Sequence, residues 1–216
     1  MSKGHYYLIA IFSILVFASL LTPLAHASSE QVIIKQESAT ASISQNAQII
    51  KVNQTWIITG FKIYIWANIT TFDGIKYGIG KINDITDINH THSILYSNTW
   101  KGSLASCTWT WIRFNFSVRI TAGYYFLFAI YKGTLGKQGY LIKCGGNNPY
   151  PDGTPYFFAD TTSPTYFYNP QTSYDWVMYV YATTDPTTII TEFLPAIIII
   201  AMLGVALGFM SKYVKA

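Results

Sequence analysis

Apolar and polar side chains alternate with a period of two through the middle of this chain. In Phe61-Lys62-Ile63-Tyr64-Ile65-Trp66-Ala67, the residues Phe61, Ile63 and Ile65 point one way. From Arg113 to Ile120 the pattern is cleaner: Phe114, Phe116, Val118 and Ile120 face a core, while Arg113, Asn115, Ser117 and Arg119 face solvent. Thr121-Ala122-Gly123 marks a turn, and Tyr124 to Tyr131 (YYFLFAIY) is apolar on both parities, which predicts a strand at the centre of a sheet. Asp175 to Tyr181 predicts a last strand. Turn signals recur at Asp73-Gly74, Lys132-Gly133, Gly145-Gly146-Asn147 and Asp152-Gly153, with no long helical period between them. The pattern predicts an all-β fold, an antiparallel β-sandwich over residues 42–182. Residues 28–41 are polar apart from Val32-Ile33-Ile34 and read as a mobile or edge-pairing segment.

Both ends read differently. Lys3 precedes the apolar run Leu8 to Leu21, and Ala25-His26-Ala27 supplies a small-x-small cleavage pattern, so residues 1–27 read as a signal peptide. Phe193 to Met210 carries no charge over 18 residues. As a helix it would rise about 27 Å, close to the thickness of a bilayer's hydrocarbon core. Residues 191–211 therefore read as a transmembrane anchor, joined to the sandwich by a short stiff linker, 183–190. Lys212 and Lys215 mark residues 212–216 as a cytoplasmic tail. This places a single-pass protein in the cell membrane with its N-terminal domain outside. Thr191-Glu192-Phe193-Leu194-Pro195 ahead of the apolar run resembles the C-terminal anchors of archaeal surface proteins.

Composition sharpens this picture. The 216 residues are 50% hydrophobic, 17% aromatic and only 11% charged, and so many aromatics with so little charge exclude a disordered chain. Fourteen Lys+Arg against ten Asp+Glu, with no basic run, gives +4 and argues against a nucleic-acid partner.

The order of segments also resembles a family. Thr121-Ala122-Gly123-Tyr124-Tyr125, then Asn148-Pro149-Tyr150-Pro151-Asp152-Gly153, then Asp175 through Tyr181 are similar to the galactose-binding-like jelly-roll modules of secreted and surface proteins. The resemblance covers residues 42–182. It implies a jelly roll and a carbohydrate or other surface polymer as ligand.

The chemistry visible in the sequence is sparse. Cys107 and Cys144 both fall in the exported part, where an even count predicts one disulfide; two buried thiols are the alternative. Four sequons, at Asn53, Asn68, Asn89 and Asn115, make the domain a candidate glycoprotein. His90 and His92 lie near Asp84 and Asp87, but a polar loop explains that spacing better than a metal site. Calcium would find oxygen ligands only at the scattered Asp84, Asp87, Asp152 and Asp175, so no cofactor is expected. There is no Gly-x-Ser-x-Gly elbow, His-Glu-x-x-His, phosphate loop or dinucleotide fingerprint, and the reading is of a protein that is not an enzyme. A hydrolase would need an Asp pair, and none stands out.

Two functions remain. One is adhesion to, or binding of, a surface carbohydrate or envelope polymer through the ring-rich loop 145–169. Tyr150, Asp152, Tyr156 and Tyr166 are its candidate ligand-binding residues, among Phe157, Phe158, Phe167, Tyr168, Asn147, Asn148 and Asp160. The other is a structural envelope subunit that assembles with copies of itself, Val32-Ile33-Ile34 adding a strand to a neighbour's sheet.

Overall fold

The computed structural model describes residues 29–147, 150–159 and 166–213. The signal peptide expected over 1–27 lies outside them, as do Asn148 and Asp160. The strands are β1 (Gln31–Gln36), β2 (Ala41–Ile43), β3 (Ala47–Val52), β4 (Trp56–Ile69), β5 (Gly74–Ile82), β6 (His92–Trp100) and β7 (Thr110–Ile120). They continue with β8 (Gly123–Lys132), β9 (Leu135–Gly146), β10 (Pro155–Ala159), β11 (Tyr166–Tyr168), β12 (Tyr174–Trp176) and β13 (Met178–Thr184). One helix, α1 (Pro186–Tyr213), follows.

The strands form two sheets. The larger runs β1-β13-β4-β9-β12, with β2 also on β9 and β7 also on β4; the smaller runs β11-β10-β3-β8-β5-β6. The paired strands whose register is resolved run antiparallel. The all-β sandwich is therefore the fold, with Glu30–Ala182 as one compact unit.

Alternation explains its core. Phe61, Ile63 and Ile65 of β4 and Ile112 and Phe114 of β7 turn inward from the larger sheet, meeting Tyr77 and Ile79 of β5 and Tyr125 and Leu127 of β8. Phe114 touches Phe61 at 5.0 Å and stacks on Tyr77 at 4.7 Å between ring centroids. Val118 is only partly buried, against expectation. Glycine sits at position 60 because its φ is +151° and a Cβ there would lie 2.2 Å from the Phe114 carbonyl oxygen. The register of β4 on β7 shifts at this point, which marks a bulge.

β8 lies between β3 and β5, as its doubly apolar sequence predicts. Its second face, Phe126 and Phe128, joins Ala47, Ile49, Ile82, Phe158 and Phe167 in a separate aromatic core. Gly80 of β5 makes room for it: a Cβ there would lie 2.2 Å from the Phe126 ring.

Of the two alternatives for residues 28–41, the fold shows edge pairing: β1 is an edge strand on β13, with a register shift between Val32 and Ile34, and β2 pairs with β9. Three expectations change. Gly145 and Gly146 continue β9 rather than turning it. The last strand breaks at Val177, whose N–H donates to the Lys143 carbonyl. The linker 183–190 is absent, because β13 runs to Thr184 and α1 begins at Pro186. Asp185 caps the helix, its Oδ1 accepting from Thr187 N at 3.0 Å and Thr187 Oγ1 at 2.8 Å, and Pro186 takes the first helical position, where it needs no donor.

The expected disulfide does not form. Cys107 and Cys144 are both free thiols. Cys107 is exposed and its N–H donates to the carbonyl of Ala67, which pairs with Tyr140 of β9. Cys144 lies four residues further along β9, roughly 13 Å away, and is fully buried in the core. Disulfide Cα atoms sit within about 7 Å, so this fold keeps the thiols apart. Burial also pushes the Cys144 thiol up to about 11, which suppresses its thiolate at neutral pH. Alkylation of the native protein should therefore label Cys107 alone, and both cysteines after unfolding; mass spectrometry finding no alkylatable thiol without reductant would contradict this.

The 28 residues of α1 contain the apolar run, and its described side chains Ile197, Ile199, Met202 and Leu203 are exposed. Pro195, expected near the helix start, is its tenth residue. Among the described residues, whose side chains are interrupted along α1, no helix is long and apolar enough to cross a membrane. The sequence itself carries the run unbroken from Phe193 to Met210.

Candidate functional site

The alternation that buries one face of the larger sheet turns a row of aromatic rings outward from the other. Tyr64 and Lys62 alternate with buried Ile63 and Ile65 on β4, and Trp111 and Arg113 with buried Ile112 and Phe114 on β7. Tyr179 and Tyr181 alternate with buried Met178, Val180 and Ala182 on β13. Across the strands these rings meet. Trp109, just before β7, lies 5.3 Å from Tyr64, which stacks on Trp111 at 5.0 Å; Trp111 meets Tyr179 at 5.4 Å, and Tyr179 stacks on Tyr181 at 6.4 Å. Tyr64 on Trp111 (24°) and Tyr179 on Tyr181 (22°) are stacked, Trp109 is tilted by 37° against Tyr64, and Trp111 meets Tyr179 edge to face at 60°.

Cations are threaded through the row. Lys62 Nζ lies 4.8 Å from the Trp111 centroid and 5.9 Å from that of Tyr179. Lys143 Nζ is 5.1 Å from Trp109, and the Arg113 guanidinium 4.1 Å from Tyr181. Two carboxylates answer them. Glu30 pairs with Arg113 at 2.5 Å, and Glu37 pairs with Lys35 at 2.9 Å while accepting the Tyr179 hydroxyl. The Arg113 hydrogen bond holds the Glu30 carboxyl below the usual range. The Tyr179 hydroxyl, followed by Lys35, does the same for Glu37, and the bond to Glu37 pushes the Tyr179 phenol up to about 12.

The loop residues expected to bind ligand divide. Tyr150 is a structural tie: its hydroxyl accepts from Lys51 N at 2.9 Å and donates to Lys51 O at 3.1 Å, while its N–H donates to Asp175 Oδ2 at 2.9 Å. Burial pushes its phenol up to about 12. Asp152 and Tyr156 do come together, in a groove of about 230 Å³ with Ile49, Ile85, Tyr124 and Thr154. Asp152 is paired there with Lys51 at 3.4 Å, and Tyr156 packs on Phe167 at 5.8 Å between centroids. Tyr166 lies on β11 opposite Ala159. Phe158 and Phe167 belong to the second core. The groove is smaller than the 300–1,000 Å³ typical of ligand pockets, and the ring row on the larger sheet is the stronger candidate.

The other expected chemistry is dispersed. His90 pairs with Asp87 at 2.7 Å on the surface, whereas His92 donates from Nδ1 to the Ile88 carbonyl at 2.6 Å and packs edge-on against Phe126, Phe158 and Phe167. Asp84 caps the 3-10 turn Ile85–Asp87, and its bonds from the Thr86 hydroxyl and N–H hold its carboxyl below the usual range. No group of three His, Cys, Asp or Glu that could hold a metal occurs among the described residues. Of the sequon asparagines, Asn53, Asn89 and Asn115 are exposed and Asn68 is half-buried. Asn115 stands beside the ring row, its Oδ1 accepting from Arg113 Nε at 2.7 Å.

Asp175 is a different kind of residue. It is fully buried, and accepts from Gln48 Nε2 and Tyr150 N, both at 2.9 Å. Desolvation outweighs those two bonds and raises its carboxyl to about 6. A folded pKa above the unfolded 3.8 gives stability that is present at low pH and lost as pH rises through about 6. The stability of wild type relative to Asp175→Asn should therefore fall between pH 4 and pH 7, by on the order of 1–3 kcal/mol. Urea midpoints at the two pH values measure this, and a difference that stays constant or grows would contradict it.

No protein-family model and no curated protein matches this chain.

Proposed function

We propose that this chain is a membrane-anchored surface protein whose β-sandwich adheres to carbohydrate polymer through the outer face of its larger sheet, without catalysis. The observation that carries this reading is the ring row Trp109–Tyr64–Trp111–Tyr179–Tyr181 on the outer face of the larger sheet, with Trp111 exposed and the other four rings half-buried. Contiguous exposed apolar surface is uncommon on monomeric domains and marks interaction sites. A flat, ridged face suits an extended polymer better than a small molecule, which would need a deep pocket. The galactose-binding-like jelly-roll resemblance agrees with a sugar ligand, and the site it suggests moves from the 145–169 loop to the sheet. The anchor in this reading is the uncharged sequence run Phe193 to Met210, about 27 Å as a helix and close to the hydrocarbon core, followed by Lys212 and Lys215. The sandwich then stands outside the cell, where the sequons are accessible to glycosylation.

A second reading rests on β6. It is the last strand of the smaller sheet, carries no charged side chain beyond His92, and exposes Ile94 and Leu95. Such an edge could pair with another copy in a surface assembly.

The test of the first reading is co-sedimentation. Vesicles carrying the full chain should pellet with at least one polysaccharide of a panel of neutral and acidic polymers, while vesicles carrying Trp111→Ala should stay in the supernatant. Failure to bind any polymer, together with ordered arrays under the electron microscope, would favour the assembly reading.

A further inference from the structure

Resting on that reading of the face, we infer that its polymer is acidic: a polysaccharide carrying carboxylate or sulfate groups on its sugar rings. The argument is charge complementarity at named atoms. Among the described residues, Lys35, Lys62, Arg113, Arg119 and Lys143 stand on outward positions of the larger sheet, and Glu30 and Glu37 flank β1 beside them. Glu30 is engaged by Arg113 and Glu37 by Lys35. Lys62 and Lys143 instead hold their ammonium groups over Trp111 and Trp109.

An ammonium resting on a ring is partly shielded from water on one side and keeps donors free on the other. The surface is thus apolar and electropositive along the same line, with cations interrupting the rings at intervals of one or two side chains. A neutral glycan would use only the apolar half of it. A polymer of acidic sugars presents an apolar ring body and an anion in each acidic residue, and uses both. Single-stranded nucleic acid also combines anions with stacking bases. It also calls for a basic groove that tracks its backbone, and this chain has a net charge of only +4 and no basic run.

The experiment uses the full chain in non-ionic detergent, with alginate as the acidic polymer, hydroxyethylcellulose as the neutral one and oligo(dT) as a nucleic-acid control. Alginate should bind about tenfold more tightly than the neutral polymer at low ionic strength, and most of that advantage should vanish in about 1 M salt. The double variant Lys62→Gln, Lys143→Gln should lose about five- to tenfold in alginate affinity and keep its affinity for the neutral polymer. Equal, salt-insensitive binding of both polysaccharides would overturn the acidic preference and leave the carbohydrate reading standing. Binding of neither would remove the carbohydrate reading as well. Tighter binding of oligo(dT) than of alginate would assign the face to nucleic acid and overturn the inference.

Discussion

Trp111→Ala should lower the affinity of the full chain for its polysaccharide by about tenfold or more, the scale of an interface hot spot, while barely changing stability. Trp111 sits in the middle of the ring row, touching Tyr64 at 5.0 Å and Tyr179 at 5.4 Å, with Lys62 4.8 Å from its centroid. Its removal splits the row into two short pieces and frees Lys62 from the ring that positions it. Because Trp111 is 37% exposed, truncation opens no sealed cavity, and the loss of stability should stay near 1 kcal/mol. Tyr156→Ala, in the small groove, should leave affinity unchanged. Calorimetric titration of the two variants checks both statements, and the opposite ranking would move the site to the groove.

The largest effect on stability belongs to Trp176→Ala. This indole is fully buried, and its Nε1 donates to the Gln45 carbonyl at 3.1 Å while its backbone N–H donates to Gln48 Oε1 at 3.0 Å. Gln48 in turn holds Asp175, which holds Tyr150. Emptying the site should cost about 3–5 kcal/mol for the cavity and about 1–3 kcal/mol more for the stranded carbonyl. That approaches the whole stability of an ordinary domain. The variant should be recovered unfolded, or with its urea midpoint greatly lowered; a midpoint near that of wild type would show that Trp176 is not a keystone between β12 and β3.

The fold was legible where one physical rule governs alone. Period-two alternation identified β7 and most of β4, and the doubly apolar Tyr124–Tyr131 identified a central strand, because burial by itself decides those positions. Cysteine parity failed because it counts residues without knowing the register: Cys107 bonds to Ala67, which pairs with Tyr140, four residues along β9 from Cys144. A linker was expected over 183–190 because Thr183 and Thr184 read equally well as loop or as strand, whereas Asp185-Pro186-Thr187 is a helix cap that starts α1 directly after β13.

Of the four residues expected to bind ligand, Asp152 and Tyr156 line one groove. The richer ring density of 145–169 drew attention from the sheet, yet Phe158 and Phe167 there are spent in a core, and Tyr150 in a tie. The missed signal lay in the polar parity of the strands. Trp109, Trp111 and Tyr64 occupy positions that alternation assigns to solvent, and such rings have no packing reason to be there. That Tyr179 and Tyr181 complete the row required knowing that β13 lies beside β4.

Oxidative footprinting of the full chain with and without saturating alginate tests the central claim most directly, because it reports which rings the polymer covers. Protection should appear at Trp109, Tyr64, Trp111 and Tyr179 together, with Tyr124 and Tyr156 unchanged. Protection confined to Tyr124 and Tyr156, or to no ring at all, would contradict the assignment of the binding face to the larger sheet.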